Sequence, residues 1–355
     1  MNQIRLGVIG IGMAWEKLHW PAIQELEDKY QIVAICDRTR EVAVNFAKSI
    51  NLNLNNVYDN YEKMLERDDL DAVDVLVPIS ENYEAAAAVV KANINLIAEK
   101  PLAASMEGAK KLLELHKKHP VNIMVAENYR YNEEINKIKD IINQGKIGDI
   151  AYFIFNKFVN FEEEMKKDTF AATEWRQHPD FKGGAFLDAA LHDIAGLRHI
   201  FGAVDQVYAM GRPQIEEFCP YRVINSQIKF QNGIIGHYSY YTDGKETQSP
   251  LIGLRILGNK GEIYLEEKRA GVINVSYYNN SSEQISYQPK RGYYNEFLNF
   301  YNAMTGKEAI TVTPEVEYGD VKMIFDILKS IETNKVIEVD KENAFKYQEQ
   351  NPLKV

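Results

Sequence analysis

Ile4-Arg-Leu-Gly7-Val-Ile-Gly10-Ile-Gly12-Met13-Ala14-Trp15 runs a short apolar stretch straight into closely spaced glycines. Ile4–Ile9 has the length and character of a buried strand, and Gly10 and Gly12 stand where that strand must turn sharply into a helix. There the backbone N–H groups at the helix start, over Met13 and Ala14, can approach a pyrophosphate, because the first turn of a helix carries unsatisfied donors and the positive end of its dipole. A tight turn in any α/β protein uses the same residues, so the reading needs support from further along the chain. Asp37 supplies it. This residue ends a second apolar run, Ile32–Cys36, 25 residues after Gly12, where a carboxylate can accept both hydroxyls of an adenosine ribose. Arg38 follows and offers a guanidinium that either holds a 2′-phosphate or stacks on the adenine. NAD is the expected cofactor, with NADP left open.

Working outward, the first 125 residues alternate short apolar runs with helical patterns. Strands are predicted at Ile4–Ile9, Ile32–Cys36, Ala72–Val77, Leu96–Ala98 and Asn122–Ala126, with helices over Trp15–Leu26, Val42–Ser49, Tyr83–Ala92 and Met106–His116. Such alternation means βαβ units, a parallel sheet and right-handed crossovers. After Gly148 the period changes to two, with strands predicted at Ile150–Phe158, Val204–Met210, Tyr221–Phe230, Gly233–Tyr241, Leu254–Gly258, Glu262–Glu267 and Val272–Tyr278. Turn signals such as Gln231-Asn232-Gly233 separate them, which predicts a large, mainly antiparallel open sheet with one face free to pack. Two helical patterns follow, Tyr294–Met304 and Val316–Thr333. The expected organisation is a Rossmann domain over residues 1–125 and an α+β domain over 126–355.

Bulk properties narrow the partners. A chain of 355 residues is long enough for two cores. Its 41 Lys and Arg against 51 Asp and Glu give a formal charge of −10, which repels polyanions and argues against nucleic acid and anionic membranes. No stretch approaches the ~20 apolar residues that span a bilayer. Leu6–Met13 is short and broken by glycines, so it reads as a strand entering a turn and not as a secretory leader. The two cysteines, Cys36 and Cys219, are too few for a disulfide framework and lack zinc-site spacing. A cytoplasmic location is expected.

Lys100 follows the Leu96–Ala98 strand and so should project from the carboxyl edge of the parallel sheet, where open α/β sheets bind ligands. Pro101 fixes the backbone just beyond it, and an X-Pro bond is where a cis peptide costs least. Asp188 and His192 are spaced i, i+4, which on an α-helix puts both on one face. Gly183-Gly184 suits a turn into that helix. Histidine titrates near neutral pH and can take a hydroxyl proton, and a nearby carboxylate favours its charged form. As metal ligands the pair would lack a third partner, since Asp193 points about 100° away around the helix, so no metal is expected. His19, His116, His119, His178, His199 and His237 read as structural or surface residues. Tyr238, Tyr240, Tyr241, Tyr277 and Tyr278 read equally as strand packing or as the lining of a sugar pocket.

Taken together, these residues resemble the Gfo/Idh/MocA oxidoreductases. The resemblance covers nearly the whole chain, through Gly7–Gly12, His19-Trp-Pro21, Cys36-Asp37-Arg38, Asp71-Ala-Val73, Glu99-Lys100-Pro101, Asn128-Tyr-Arg130, Trp175-Arg176-x-x-Pro179 and Gly183–His192. It implies a Rossmann domain followed by an α/β domain whose open sheet serves oligomer contacts in a homodimer or homotetramer. It implies a catalytic triad of Lys100, Asp188 and His192, a cis Lys100–Pro101 bond, and cofactor contacts from Gly10, Gly12, Met13, Ala14, Asp37, Arg38, Pro78, Glu99, Trp175 and Arg176. The implied reaction moves a hydride between a nicotinamide and a carbinol or carbonyl carbon of a sugar, cyclitol or related polyol. A redox-assisted glycosidase and a non-catalytic nucleotide sensor of the same fold are the alternatives. Three departures bear on substrate and cofactor contacts: Pro78–Asn82 lacks the Asn and His often found there, Trp15 replaces a small residue, and Ala195 stands where an Asp often follows the histidine.

Overall fold

The computed structural model describes residues 3–242, 253–266 and 270–339. Contacts divide these described residues into two compact units, one within 3–128 with 292–318 and the other within 129–291 with 319–339. Among the described residues no helix is long and apolar enough to cross a membrane.

In the first unit, β1 (Ile4–Ile9), β2 (Tyr30–Cys36), β3 (Val57–Tyr58), β4 (Ala72–Val75), β5 (Asn95–Glu99) and β6 (Ile123–Ala126) form a sheet of order β3-β2-β1-β4-β5-β6 with every pairing parallel. The alternation with helices dictates this sheet. Its strands are buried on both faces, as crossover helices require: Leu6, Val8, Ala72, Val73, Val75, Leu96 and Ile97 are all fully buried. The order reverses between β1 and β4, and the carboxyl ends of those strands form the crevice where such sheets bind ligands. Residues 292–318 return to this unit with the helix Tyr293–Met304. The Val125 N–H donates to Val312 O at 2.9 Å, so part of this return covers the β6 edge.

The second unit carries a nine-stranded sheet. Its strands are β7 (Ile150–Phe158), β8 (Val204–Pro213), β9 (Tyr221–Phe230), β10 (Ile235–Tyr241), β11 (Gly253–Gly258), β12 (Gly261–Leu265), β13 (Val272–Tyr277), β14 (Ser282–Ser286) and β15 (Ile337–Glu338), in the order β14-β13-β12-β11-β7-β10-β9-β8-β15. All pairings are antiparallel except β10 with β7. Glu267, where the sequence reading ends the β12 strand, lies outside the described residues. On the face of the sheet that packs under the helices, Phe153 stacks on Phe201 at 5.0 Å, and Phe230 meets Phe201 at a tilt, centroids 5.3 Å apart. A buried ion pair fixes the chain at the start of this unit: Arg130 Nη2 donates to Asp320 at 2.7 Å, and Arg198 pairs with the same carboxylate.

Candidate active site

The glycine turn of the first unit has the shape that a dinucleotide needs. Gly10 lies at φ 94°, and a Cβ on it would stand 2.1 Å from Leu76 O, so the β1 and β4 chain ends pass too close for any side chain. A Cβ on Gly12 would meet nothing within 4 Å. Gly12 therefore relieves no clash within the fold; it leaves open the space over the helix start at Met13 and Ala14. Asp37 holds this loop in place, its Oδ2 accepting from the Ile11 N–H at 2.9 Å and its Oδ1 from the Thr39 N–H at 2.8 Å. Arg38 is exposed and donates to Glu81 Oε1 at 3.0 Å. Pro78 caps the helix Ile79–Lys91. These residues fit a bound dinucleotide.

The helix after the glycine turn differs from the regular one expected. Trp15–His19 is a π-helical segment leading into Trp20–Glu25. Trp15 is fully buried, stacked on Trp20 at 5.7 Å and edge-on to Phe46 at 5.5 Å. The bulky residue in the fingerprint thus faces the core of the unit.

Lys100 follows β5 directly, and its bond to Pro101 is cis. Its N–H donates to Glu99 Oε2 at 3.0 Å. The other Glu99 oxygen lies 3.1 Å from His19 Nε2, and the opposite ring nitrogen of His19 lies 2.8 Å from Asp74 Oδ2. His19 and Asp74 have no exposed surface at all. Burial alone would push the imidazole down, but the charges and hydrogen bonds of Asp74 and Glu99 hold it well above its ordinary value. His19 and Asp74 were not anticipated as site residues. The available signal was a lone aspartate inside the otherwise apolar run Ala72–Val77, which a doubly buried strand tolerates only with a partner.

In the second unit a single helical run carries both remaining catalytic candidates. Asp188 lies in a π-helical segment, Phe186–Ala190, and His192 in the α-helix Leu191–Phe201. The i, i+4 argument for a shared α-helical face is corrected by this wider turn, a form frequent at functional sites. Asp188 Oδ2 accepts from Arg176 Nε at 2.6 Å, and the Arg176 guanidinium lies 4.0 Å over the Trp175 ring. The His192 imidazole stacks on Tyr129, centroids 4.3 Å apart. Beside it opens a cavity of about 530 Å³ counting its mouth, lined by Ile135, Phe155, Leu197, Leu254 and Leu265 together with Asp193. Tyr238 and Tyr240 are fully buried, and the Tyr238 hydroxyl donates to Asp193 Oδ2 at 2.9 Å, so these two tyrosines pack the unit. Among the described residues no group of three His, Cys, Asp or Glu side chains could hold a metal ion.

Two sequence patterns decide the assignment. Residues 4–127 match that of the oxidoreductase family with an NAD-binding Rossmann fold, and residues 139–339 match that of the same family's C-terminal alpha/beta domain. The chain belongs to the Gfo/Idh/MocA oxidoreductase family. It is an NAD(P)-dependent oxidoreductase, and its first unit is the NAD-binding domain. Among its relatives in the family, the uncharacterized protein YMR315W of Saccharomyces cerevisiae is 29% identical over 94% of this chain and 97% of its own. An oxidoreductase from Thermotoga maritima of known structure is 26% identical, with a TM-score of 0.83 over 95% of this chain and 98% of its own. Another family member, the scyllo-inositol 2-dehydrogenase (NADP(+)) IolW of Bacillus subtilis, is 26% identical over 59% of this chain and 55% of its own. A levoglucosan dehydrogenase solved with NADH and L-sorbose shares the fold, with a TM-score of 0.84 at 20% identity over 96% of this chain and 100% of its own.

Proposed function

We propose that this oxidoreductase is a dehydrogenase acting on a CH–OH group of a sugar, cyclitol or related polyol, with Lys100, Asp188 and His192 as its catalytic residues. The observation that carries this reading is the placement of Lys100 at the carboxyl end of β5, next to the strand-order reversal, with its backbone N–H tied to Glu99. Relatives that act on an inositol and on levoglucosan support the substrate class. When bound, the nicotinamide accepts or donates the hydride. His192 takes the hydroxyl proton at the reacting oxygen, and Lys100 stabilises the negative charge that develops there. Asp188, oriented by Arg176, aligns the histidine or binds a neighbouring hydroxyl. Gly10, Gly12, Met13, Ala14, Asp37, Arg38, Pro78, Glu99, Trp175 and Arg176 are the proposed cofactor contacts, with NAD preferred because Asp37 would repel a 2′-phosphate.

A homodimer or homotetramer assembled on the open sheet face is part of the proposal. Met210 and Ile235, on that same face, are 61% and 51% exposed, which is apolar surface suited to a second copy. Cys36 and Cys219 are buried free thiols, in keeping with a cytoplasmic location. A panel of sugars, cyclitols and polyols with NAD⁺ and NADP⁺, followed by the absorbance of the reduced nicotinamide, tests the function. Substrate-dependent reduction supports it. A panel with no turnover in either direction, by a protein that binds NADH, would favour the sensor.

A further inference from the structure

Two polar side chains of the first unit, Asn82 and Glu99, bond the backbone around Lys100. Asn82, itself buried, donates its amide to the carbonyls on both sides of that residue, to Glu99 O at 2.8 Å and to Pro101 O at 2.9 Å. Glu99 Oε2 takes the Lys100 N–H. Glu99 is in turn gripped by His19, whose far nitrogen is anchored on Asp74 at the centre of the sheet. A neutral imidazole has one donor and one acceptor nitrogen, so facing two ionised carboxylates with its two nitrogens requires the imidazolium; burial pushes the Asp74 carboxyl up, and the charge and hydrogen bond of His19 act against that rise. The edge of Phe297 at 5.0 Å and the ring of Tyr293 at 5.8 Å close over the histidine. Glu296 beside them is fully buried with no hydrogen-bond partner for either oxygen among the described residues, and burial pushes its carboxyl well above its ordinary value, which favours the uncharged form. The charges of Glu99, Glu127 and Asp74 push that carboxyl up further.

We propose that His19 is a positioning residue for Lys100, acting through Glu99: the buried imidazolium fixes the carboxylate that holds the Lys100 backbone at the edge of β5. This rests on the catalytic reading of Lys100 given above. Stability alone is a poor reason for such an arrangement, because a buried ion triad replaced by apolar side chains of similar volume often leaves a fold as stable or more so. What apolar side chains cannot supply is a fixed acceptor for the Lys100 N–H.

The test uses the full chain without substrate. In the wild type, ¹⁵N spectra of the His19 ring should show both nitrogens protonated at pH 8; one unprotonated nitrogen overturns the proposal, and this arm does not depend on any variant folding. In His19→Gln the Lys100 amide, resolved by fragmentation mass spectrometry, should exchange with deuterium at least tenfold faster while the amides of β1 keep their protection. The core variant Met64→Ala, which loosens the same sheet from the Gly7 face, opposite to Asp74, should not change Lys100. Unchanged Lys100 exchange in folded His19→Gln would overturn the role. Turnover of Lys100→Met is measured separately: retained activity there would remove the catalytic reading while leaving the positioning result standing.

Discussion

Gly10→Ala and Gly12→Ala should separate folding from cofactor binding in one turn. At Gly10 the added methyl would stand 2.1 Å from Leu76 O and 2.8 Å from Leu76 C, both backbone atoms. Ordinary C···O contacts lie near ~3.3 Å, so β1 and β4 must part by roughly 1 Å. The left-handed φ of 94° adds about 1–2 kcal/mol for any residue with a Cβ, and forcing an extra methyl into close packing about 1–3 kcal/mol. The sum, ~2–5 kcal/mol, lowers Tm by about 4–20 °C for a unit of this size. At Gly12 nothing lies within 4 Å of the new methyl, so Tm should stay within about 2 °C. The methyl would still intrude where a pyrophosphate lies and weaken NADH binding by roughly tenfold or more, about 1.4 kcal/mol. Calorimetry and NADH fluorescence titration read the two effects. A Gly10→Ala protein that melts with the wild type, or a Gly12→Ala protein that binds NADH as tightly, would refute the reasoning about this turn.

Four further outcomes are expected. Lys100→Met should abolish turnover of a substrate found in the panel while NADH affinity stays within about tenfold, because the charge acts mainly in the transition state. His192→Ala should cost about 10² to 10⁴ in rate and remove one group from the pH profile; superimposable profiles would assign the proton to another residue. Asp37→Ala should loosen the glycine turn, since the Ile11 and Thr39 N–H groups both lose their acceptor, and should shift the ratio of kcat/KM toward NADP; a ratio unchanged in the folded variant would take Asp37 off the ribose. Burial, with Arg130 adding to it, lowers Lys139 from its ordinary 10.5 to about 8. A base depressed in the fold binds fewer protons there than in the unfolded chain, so it adds a rise in stability with pH between about 8 and 10.5. Lys139→Met should flatten that rise and be more stable at pH 7 by denaturant titration; an identical pH slope would contradict it.

Much of the fold was legible because its strands are either buried on both faces or strictly alternating. The bounds of Ile4–Ile9, Met106–His116, Ile150–Phe158 and Tyr221–Phe230 coincide with those read from the sequence. The strands that were missed are two residues long, as Val57–Tyr58 and Ile337–Glu338 are, or polar at an edge, as Ser282–Ser286 is. The helix Glu133–Asn143 was also passed over, although Ile135, Ile138, Ile141 and Ile142 mark its buried face. Of the candidate site, the glycine turn and the cis bond after Lys100 could be read because each is defined by its neighbours in sequence. His19 and Asp74 are 55 residues apart and meet only in the folded sheet. The two π-helical segments were equally hidden, since a single widened turn barely disturbs the hydrophobic period.

The central claim is that this chain passes a hydride directly from a carbinol carbon to the nicotinamide, with His192 taking the hydroxyl proton. The most direct test is turnover of a panel substrate carrying deuterium on the reacting carbon, followed by mass spectrometry of the reduced cofactor. One deuterium in the NADH from the wild type, and in the residual product of His192→Ala at about 10² to 10⁴ lower rate, is the expected result. Unlabelled NADH, or substrate consumed with no net NADH formed, would contradict the account.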